Sequence, residues 1–274
     1  GGYVTHDAAG VDATATTGDK LCSIAGVKPM SGLNNDTPAH IAGFRQLAAN
    51  RGTGWQLLDV EQLAAIQTLF LIRYGTRNSQ SIFRGVCDEA GGTGNESHLN
   101  GYSAGYWVVD GGEDAGNTDW ENATKGSGLR EFSMFGLENW YGNIWQWIDG
   151  INIRGSPNWG EVWTCNHSFD SSKFTSPYVN YGTVVTTNAA WQYSKTMLPG
   201  QLMIPNAHQA SSVQYYTDGI YTQASTDTVA RVVRFGGVWA FAGRVGAFCL
   251  SLGFDAADRD RSVGARIAFV NTGV

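Results

Sequence analysis

The chain has 274 residues, of which 15% are charged and 12% aromatic, with ten Trp, 36 Gly and a formal net charge of -6. This length allows a sizeable core in one large domain or two small ones. The acidic balance argues against a nucleic-acid surface, which needs a concentrated basic patch. No apolar run is long enough to span a bilayer. Many Gly together with many bulky aromatic residues describe a compact, loop-rich protein.

The beginning of the chain is small and polar, and it has neither an initiator Met nor an apolar signal segment. We therefore interpret residues 1–20 as an arm or linker through which residues 21–274, the folded domain, are attached to an upstream segment. The first strand-like segment is Leu21–Val27. The four Cys stand far apart without metal-ligand spacing, which argues against a disulfide framework or a zinc site. We expect buried thiols at Cys22, Cys87 and Cys165.

Two helices and a short strand are predicted next. A first helical face ends near Gly52, which is suited to stop it, and is formed by Ile41, Phe44, Leu47 and Ala48. A strand over 55–58 precedes the second helix, for which Asp59 is a good N-cap, Gln62 completes a capping box, and Gly75 ends the last turn. Helices near the N-terminus with short strands afterwards indicate an α+β arrangement.

A middle segment, Phe135–Ile153, alternates in the manner of a strand. Trp145 and Trp147 are two residues apart and share one predicted face, with Ile144, Gln146 and Ile148 opposite. Four oxygen-bearing side chains in this segment could supply a calcium site, namely Glu138, Asn139, Asn143 and Asp149. We favour the alternative that they hydrogen-bond local backbone in turns.

The C-terminal stretch, Arg234–Val270, has the pattern of a rigid frame carrying unrelated side chains. Strand spacing places Phe248, Leu250 and Leu252 on an inward face, for which Trp239 is the predicted partner. Cys249, Ser251 and Gly253 must then face outward. The polar run GFDAADRDRS follows, and a last apolar alternation ends the stretch with Ala265, Ile267 and Phe269.

This stretch also lacks five residue types. Lys, Glu, Gln, Met and Trp are all absent between Ala240 and Val270 although all five occur earlier. They are the residues that randomising the first two bases of an AAY codon does not produce. The fixed positions resemble the variable region of proteins diversified by diversity-generating retroelements, and they are Gly236, Gly237, Trp239, Gly246, Ala247, Phe248, Leu252, Gly264, Ala265 and Arg266.

The middle segment, FGLENWYGNIWQWIDGINI, and residues 50–80 are also similar to that family, so the resemblance covers most of residues 21–274. It implies a C-type-lectin-like fold of the formylglycine-generating-enzyme subtype, in which one exposed face varies on a constant scaffold. The tripeptides that mark calcium-dependent sugar binding in C-type lectins (EPN, QPD and WND) are absent. We accordingly expect no cofactor, with a structural calcium ion as an unsupported alternative.

The function that the resemblance implies is ligand binding through a hypervariable surface, with an unknown protein or cell-surface ligand as partner, on a virion or cell surface. We do not expect an enzyme. As in antibody binding sites, we expect aromatic and Arg side chains to contribute most of the binding energy. The predicted ligand-binding residues are Val238, Ala240, Phe241, Arg244, Cys249, Ser251, Gly253, Phe254, Asp255, Asp258, Arg259, Asp260 and Arg261.

Two alternatives remain open. The chain could be a fixed lectin-like adhesin without active diversification, since variation is a property of many copies. It could instead be a formylglycine-generating-type oxidase, but that chemistry uses two closely spaced Cys and Cys249 has no such neighbour. The GYSAG segment, with Ser103, matches a hydrolase nucleophile pattern only formally, because a Gly- and Asn-rich loop precedes it and a strand-like segment follows it.

Overall fold

The computed structural model describes residues 3–5, 12–31, 39–89, 97–101, 115–116, 131–184, 189–198, 200–212, 215–224 and 226–271. These residues form a mixed α+β protein, as the sequence predicts. Its elements in chain order are β1 (Tyr3–Thr5), β2 (Lys20–Cys22), α1 (Ile41–Ala49), β3 (Trp55–Leu57), α2 (Val60–Tyr74), β4 (Ala115–Gly116), β5 (Phe132–Met134), β6 (Leu137–Glu138), β7 (Trp145–Ile153), β8 (Glu161–Thr164), β9 (Val179–Thr183), β10 (Ala190–Met197), β11 (Pro205–Gln209), β12 (Gly219–Thr222), β13 (Arg231–Phe235), β14 (Leu250–Phe254), β15 (Val263–Ala265) and β16 (Ile267–Phe269).

The predicted helix signals are confirmed. Asp59 accepts from the backbone N–H of Gln62, whose side chain accepts from the Asp59 N–H, so the capping box of α2 is complete. Gly75 ends α2 in the left-handed conformation with φ 63°. For α1 the N-cap is His40, whose ring accepts from the Gly43 N–H, and the helix ends at Ala49, three residues before Gly52.

A nine-stranded sheet organises the fold. Its strand order is β11-β10-β12-β14-β13-β7-β8-β9, with β15 pairing β7 beside this path. Most pairs are antiparallel, but β12 with β14 and β15 with β7 are parallel. β14 therefore lies near the middle of the sheet, between β12 and β13. The strand at the centre of the predicted variable region is consequently held on both sides.

The core has two clusters, to which β14 and the two residues before it contribute alternate side chains. Phe248, Leu250 and Leu252 belong to the cluster that includes α2, whereas Cys249 belongs to the cluster that includes α1. Because neighbouring side chains of a strand point to opposite faces, the two clusters lie on opposite faces of the sheet. The sheet thus has a helix packed against each face, and α1 covers only the part near β7 and β15.

Several predicted elements differ in extent. The strand expected over Leu21–Val27 is only the short β2. Pro205 is the first residue of β11, where its missing N–H costs no ladder hydrogen bond. Every residue of β7 is buried, so neither of its faces is open. The expected arm is partly anchored, since Asn50 of α1 bonds to Thr14, Thr16 and Asp19.

Candidate ligand-binding face

One face of the sheet carries a row of side chains that crosses five strands. The Cα register pairs Trp191 of β10 with Tyr221 of β12, Tyr221 with Ser251 of β14, Ser251 with Arg234 of β13, and Arg234 with Trp147 of β7. Paired residues on neighbouring strands point to the same face. We call these five residues the central row. It lies on the face of β14 that the sequence predicts to be outward.

Aromatic side chains cluster around Trp191 at one end of the central row. Its ring lies 5.5 Å from Tyr221, 5.3 Å from Phe241 and 6.3 Å from Trp145, the last in a stacked arrangement. The guanidinium of Arg244 lies 5.2 Å from the Trp191 ring. Since Trp191 and Tyr221 are only partly buried, the cluster is a rigid aromatic surface with a cation at its rim.

An open groove continues this surface. It has a volume of about 390 Å³ and runs between Tyr193 and Ser212 on one side and residues 240–244 on the other. Residues 242–244 form a single 3-10 turn, and Ala240 and Arg244 are exposed. The groove places polar and small side chains beside aromatic rings, a combination that suits recognition of a macromolecular surface.

Arg234 lies beneath this surface and is only 3% exposed. Its guanidinium carbon is 3.0 Å from the centre of the Phe254 ring, 5.1 Å from Trp145 and 5.8 Å from Trp147. Burial lowers the pKa of Arg234 to about 9, against the opposing effect of Asp260 and Asp258. The side chain therefore remains charged at neutral pH while enclosed among rings.

The polar loop after β14 is shaped by its own Asp residues. Asp255 accepts from the Ala257 N–H at 2.8 Å, Asp258 from the Asp255 N–H at 2.9 Å, and Asp260 from the Ser262 N–H at 2.8 Å. Burial raises the pKa of Asp258. Neither Arg259 nor Arg261 makes an ion pair with a residue in the described part of the chain. The Asp side chains hold the loop backbone, and the two Arg side chains are left for solvent or a ligand.

The predicted ligand-binding residues divide by exposure. Four of them are buried, contrary to the expectation that they face outward into solvent: Val238, Cys249, Ser251 and Gly253. The other nine are partly or fully exposed: Ala240, Phe241, Arg244, Phe254, Asp255, Asp258, Arg259, Asp260 and Arg261. The alternation of β14 is as predicted. Its second face is covered by Arg234 and by residues of β10 and β12, which the C-terminal stretch alone does not reveal.

Cys249 is fully buried, which corrects its predicted exposure. Burial raises the pKa of its thiol well above the ordinary value, whereas reactive thiols are partly exposed and have a lowered pKa. Trp239 was expected to pack against Phe248, Leu250 and Leu252, and this is wrong. It belongs to the opposite cluster, with Cys249, because the chain turns at Gly236 and Gly237, both with positive φ, after β13 ends.

Two scaffold positions illustrate why the frame needs its residues. A Cβ on Gly246 would overlap Ser79 Oγ and the Asp218 carboxylate. These two groups bond to each other at 2.8 Å and hold the next backbone N–H groups, those of Ala247 and Phe248. A Cβ on Gly237 would lie 2.6 Å from Val245, at a φ of 85° that disfavours other residues.

The remaining scaffold predictions concern buried contacts. Phe248 and Leu252 are buried in the α2 cluster, and a Cβ on Gly264 would crowd Ile144. Arg266 is 6% exposed and joins distant segments. Its Nε donates to Gln146 at 2.9 Å, and its Nη2 donates to the carbonyls of Glu138 and Asn139.

The four residues considered for calcium have protein partners. Glu138 accepts from the Gly101 N–H, Asn139 from the Phe132 N–H, and Asn143 from the His98 N–H. Asp149 forms an ion pair with Arg45 of α1, and burial raises the pKa of its carboxyl against that pairing. In the described ranges no three His, Cys, Asp or Glu side chains are grouped to hold a metal ion.

Several residues of the face come from outside the C-terminal stretch. Trp191 and Tyr193 lie on β10 and Tyr221 lies on β12, and none of the three is among the predicted ligand-binding residues. The i, i+2 spacing of Trp191 and Tyr193 in WQY was the available signal for a strand face. Ser103, of the formal hydrolase match, lies outside the described residues.

Comparison with known proteins adds no identity. No family model matches the chain, and no curated protein matches it significantly. Among the described helices, none is both long and apolar enough to cross a membrane.

Proposed function

We propose that this protein is a ligand-binding protein, of the receptor-binding or adhesion type, and that its binding surface is the open part of the face described above. The observation that carries the proposal is the grouping of exposed Arg side chains and partly exposed aromatic side chains on one face of the sheet. Rigid rings present apolar area at low entropic cost, and Arg adds directional hydrogen bonds. The partner is then a protein or another cell-surface molecule.

We further propose that the fold is the C-type-lectin-like fold of the formylglycine-generating-enzyme subtype, with the C-terminal stretch as a region diversified by a retroelement. The α+β architecture and the buried frame residues support this assignment, because they separate a fixed core from an exposed polar loop. Attachment to a virion or cell surface through an upstream segment belongs to the same proposal. The protein then needs neither a catalytic group nor a cofactor.

Binding is tested with the folded chain as a fluorescent multimer applied to intact bacterial cells of many strains and to arrayed surface proteins and glycans. Any bound target is then tested with Arg244→Ala, which removes a cation from the rim of the face. Arg73→Ala is the matched control, because Arg73 is an exposed Arg at the end of α2, on the opposite side of the sheet. Loss of binding in the first variant with retention in the second supports the proposal. Equal retention in both would contradict the placement of the site.

Diversification is tested separately in the DNA around the gene. We expect an imperfect repeat of the codons for residues 234–266, with mismatches at adenines, and a reverse transcriptase gene beside it. The absence of any repeat would leave a fixed adhesin, which is the second candidate function. That result would leave the proposed binding face unchanged.

A further inference from the structure

Arg234 has no polar partner in the described part of the chain. Its Nε is buried without a hydrogen-bond partner, and its contacts are with the rings of Phe254, Trp145 and Trp147. It makes no ion pair with a described carboxylate. Buried charged groups in proteins are normally paired and hydrogen-bonded. A nearly enclosed guanidinium without acceptors therefore requires an explanation.

The ring contacts of Arg234 leave its buried Nε donor without an acceptor among the described residues. Aromatic rings cover a guanidinium over its flat faces, but its N–H groups lie in the plane and point away from those rings. Ring faces thus stabilise the charge without accepting its directional hydrogen bonds. The donors need an acceptor that arrives in the plane, and a carboxylate fits the planar fork with two parallel bonds.

The position of Arg234 connects it with the proposed binding face. It is a member of the central row, with Ser251 and Trp147 as its paired neighbours. Its outer cover is Phe254, a partly exposed residue of the predicted binding set. A ligand that contacts the exposed part of Phe254 therefore lies beside the guanidinium. The neighbouring carboxylates of Asp258 and Asp260 act on Arg234 through space, and both also accept backbone hydrogen bonds in the loop.

We propose that Arg234 is the anion-recognising residue of the binding face and that the ligand presents a carboxylate to it. This inference rests on the proposed binding function. A carboxylate that reaches the Nε side of the guanidinium would pair with its in-plane donors, while the rings of Phe254, Trp145 and Trp147 contact the charge. Arg231 offers a contrast on the same strand, because its guanidinium is already paired with Asp227 and donates to the Gly253 carbonyl.

The experiment uses the free protein, so that its result does not depend on finding the natural partner. The 15N–1H signal of the Arg234 Nε–H is followed by NMR during titration with sodium acetate, with acetamide as the neutral analogue and sodium chloride as the ionic-strength control. We expect a saturable shift of this signal with acetate only, and no such shift at Arg231. A response that does not saturate, or that is equal with chloride or at Arg231, would overturn the proposal.

Signal assignment does not require a variant, since through-bond correlations connect Nε to the Arg234 backbone. Arg234→Lys serves as a second test where it folds, because Lys keeps the charge but loses the planar fork. We expect acetate to shift the indole signals of Trp145 and Trp147 in the wild type, and this shift to weaken at least tenfold in affinity in Arg234→Lys. Unchanged affinity would contradict recognition by the fork. Titrations with N-acetylaspartate methylamide and with a uronic acid then distinguish the source of the carboxylate. Saturation of the shift at a lower concentration of the first compound indicates a protein ligand, and at a lower concentration of the second a sugar.

Failure of this titration and failure of the binding function are distinguishable. If a target binds through Arg244 but acetate does not affect Arg234, the face is a binding surface without a buried anion site. If acetate binds at Arg234 but no target depends on Arg244, the anion site exists and the proposed extent of the face is wrong.

Discussion

Burial of Cys249 makes a sharp prediction about which positions of the C-terminal stretch tolerate change. Cys249 is 0% exposed and packs with Val238 and Trp239 in the α1 cluster. In Cys249→Asn, an amide enters a largely apolar site, which costs about 1–3 kcal/mol when its hydrogen bonds are not made. The larger side chain adds about 1–3 kcal/mol of overpacking. We therefore expect the free energy of unfolding to fall by about 2–6 kcal/mol.

The matched control is Arg259→Asn, which introduces the same amide at an exposed position without a described ion pair. An exposed substitution of this kind changes the free energy of unfolding by less than about 0.5 kcal/mol. Urea unfolding followed by Trp fluorescence measures both variants, with the midpoint and slope fitted separately. If Cys249→Asn stayed within about 0.5 kcal/mol of the wild type, the argument that β14 is covered on both faces would be refuted.

Three further predictions concern the scaffold. Burial raises the pKa of Asp218 from 3.8 to about 7, so the folded state holds a proton that the unfolded state releases. The free energy of unfolding should therefore fall as pH rises from about 4 to 8. In urea titrations at several pH values, Asp218→Asn should flatten this dependence. Gly246→Ala forces a Cβ against Ser79 and Asp218, so we expect a loss of about 1–3 kcal/mol, and an unchanged urea midpoint would argue against this contact. Asp59→Ala removes the N-cap of α2 and should cost about 0.5–2 kcal/mol, whereas a thermal midpoint equal to the wild type would contradict the role of the cap.

The sequence predicted the helices well because their signals are local. The capping box of Asp59 and Gln62 and the left-handed Gly75 act within one turn of α2, so the residues that decide its ends are adjacent to it. The alternation of apolar residues in a strand is also a local signal. It places Phe248, Leu250 and Leu252 on one face, and these residues pack in the cluster that includes α2. These parts of the fold depend on few distant contacts.

Exposure could not be predicted in the same way, because it depends on which strands lie alongside. The outward face of β14 is covered by Arg234 and Tyr221, and β12 reaches β14 through a parallel pairing that no local pattern indicates. A Cβ on Gly253 would lie 2.7 Å from the Tyr221 ring, so this position is restricted by a residue 32 positions earlier in the printed sequence. The position of Trp239 was mispredicted for a related reason, since positive φ at Gly236 and Gly237 breaks the alternation.

The contacts that hold the binding face in place come mainly from outside it. Gln67 of α2 donates to the Ala247 carbonyl at 2.8 Å, and Gln146 of β7 accepts from Arg266. The loop over 255–262, in contrast, is held by hydrogen bonds that its own backbone N–H groups donate to its own Asp side chains. A substitution in this loop consequently alters local turns, while one at Ala247 or Arg266 alters contacts with the core. A binding surface can vary on a constant fold only where its residues do not hold the core. The loop over 255–262 and the rim near Arg244 meet this requirement, whereas the buried positions of β14 do not.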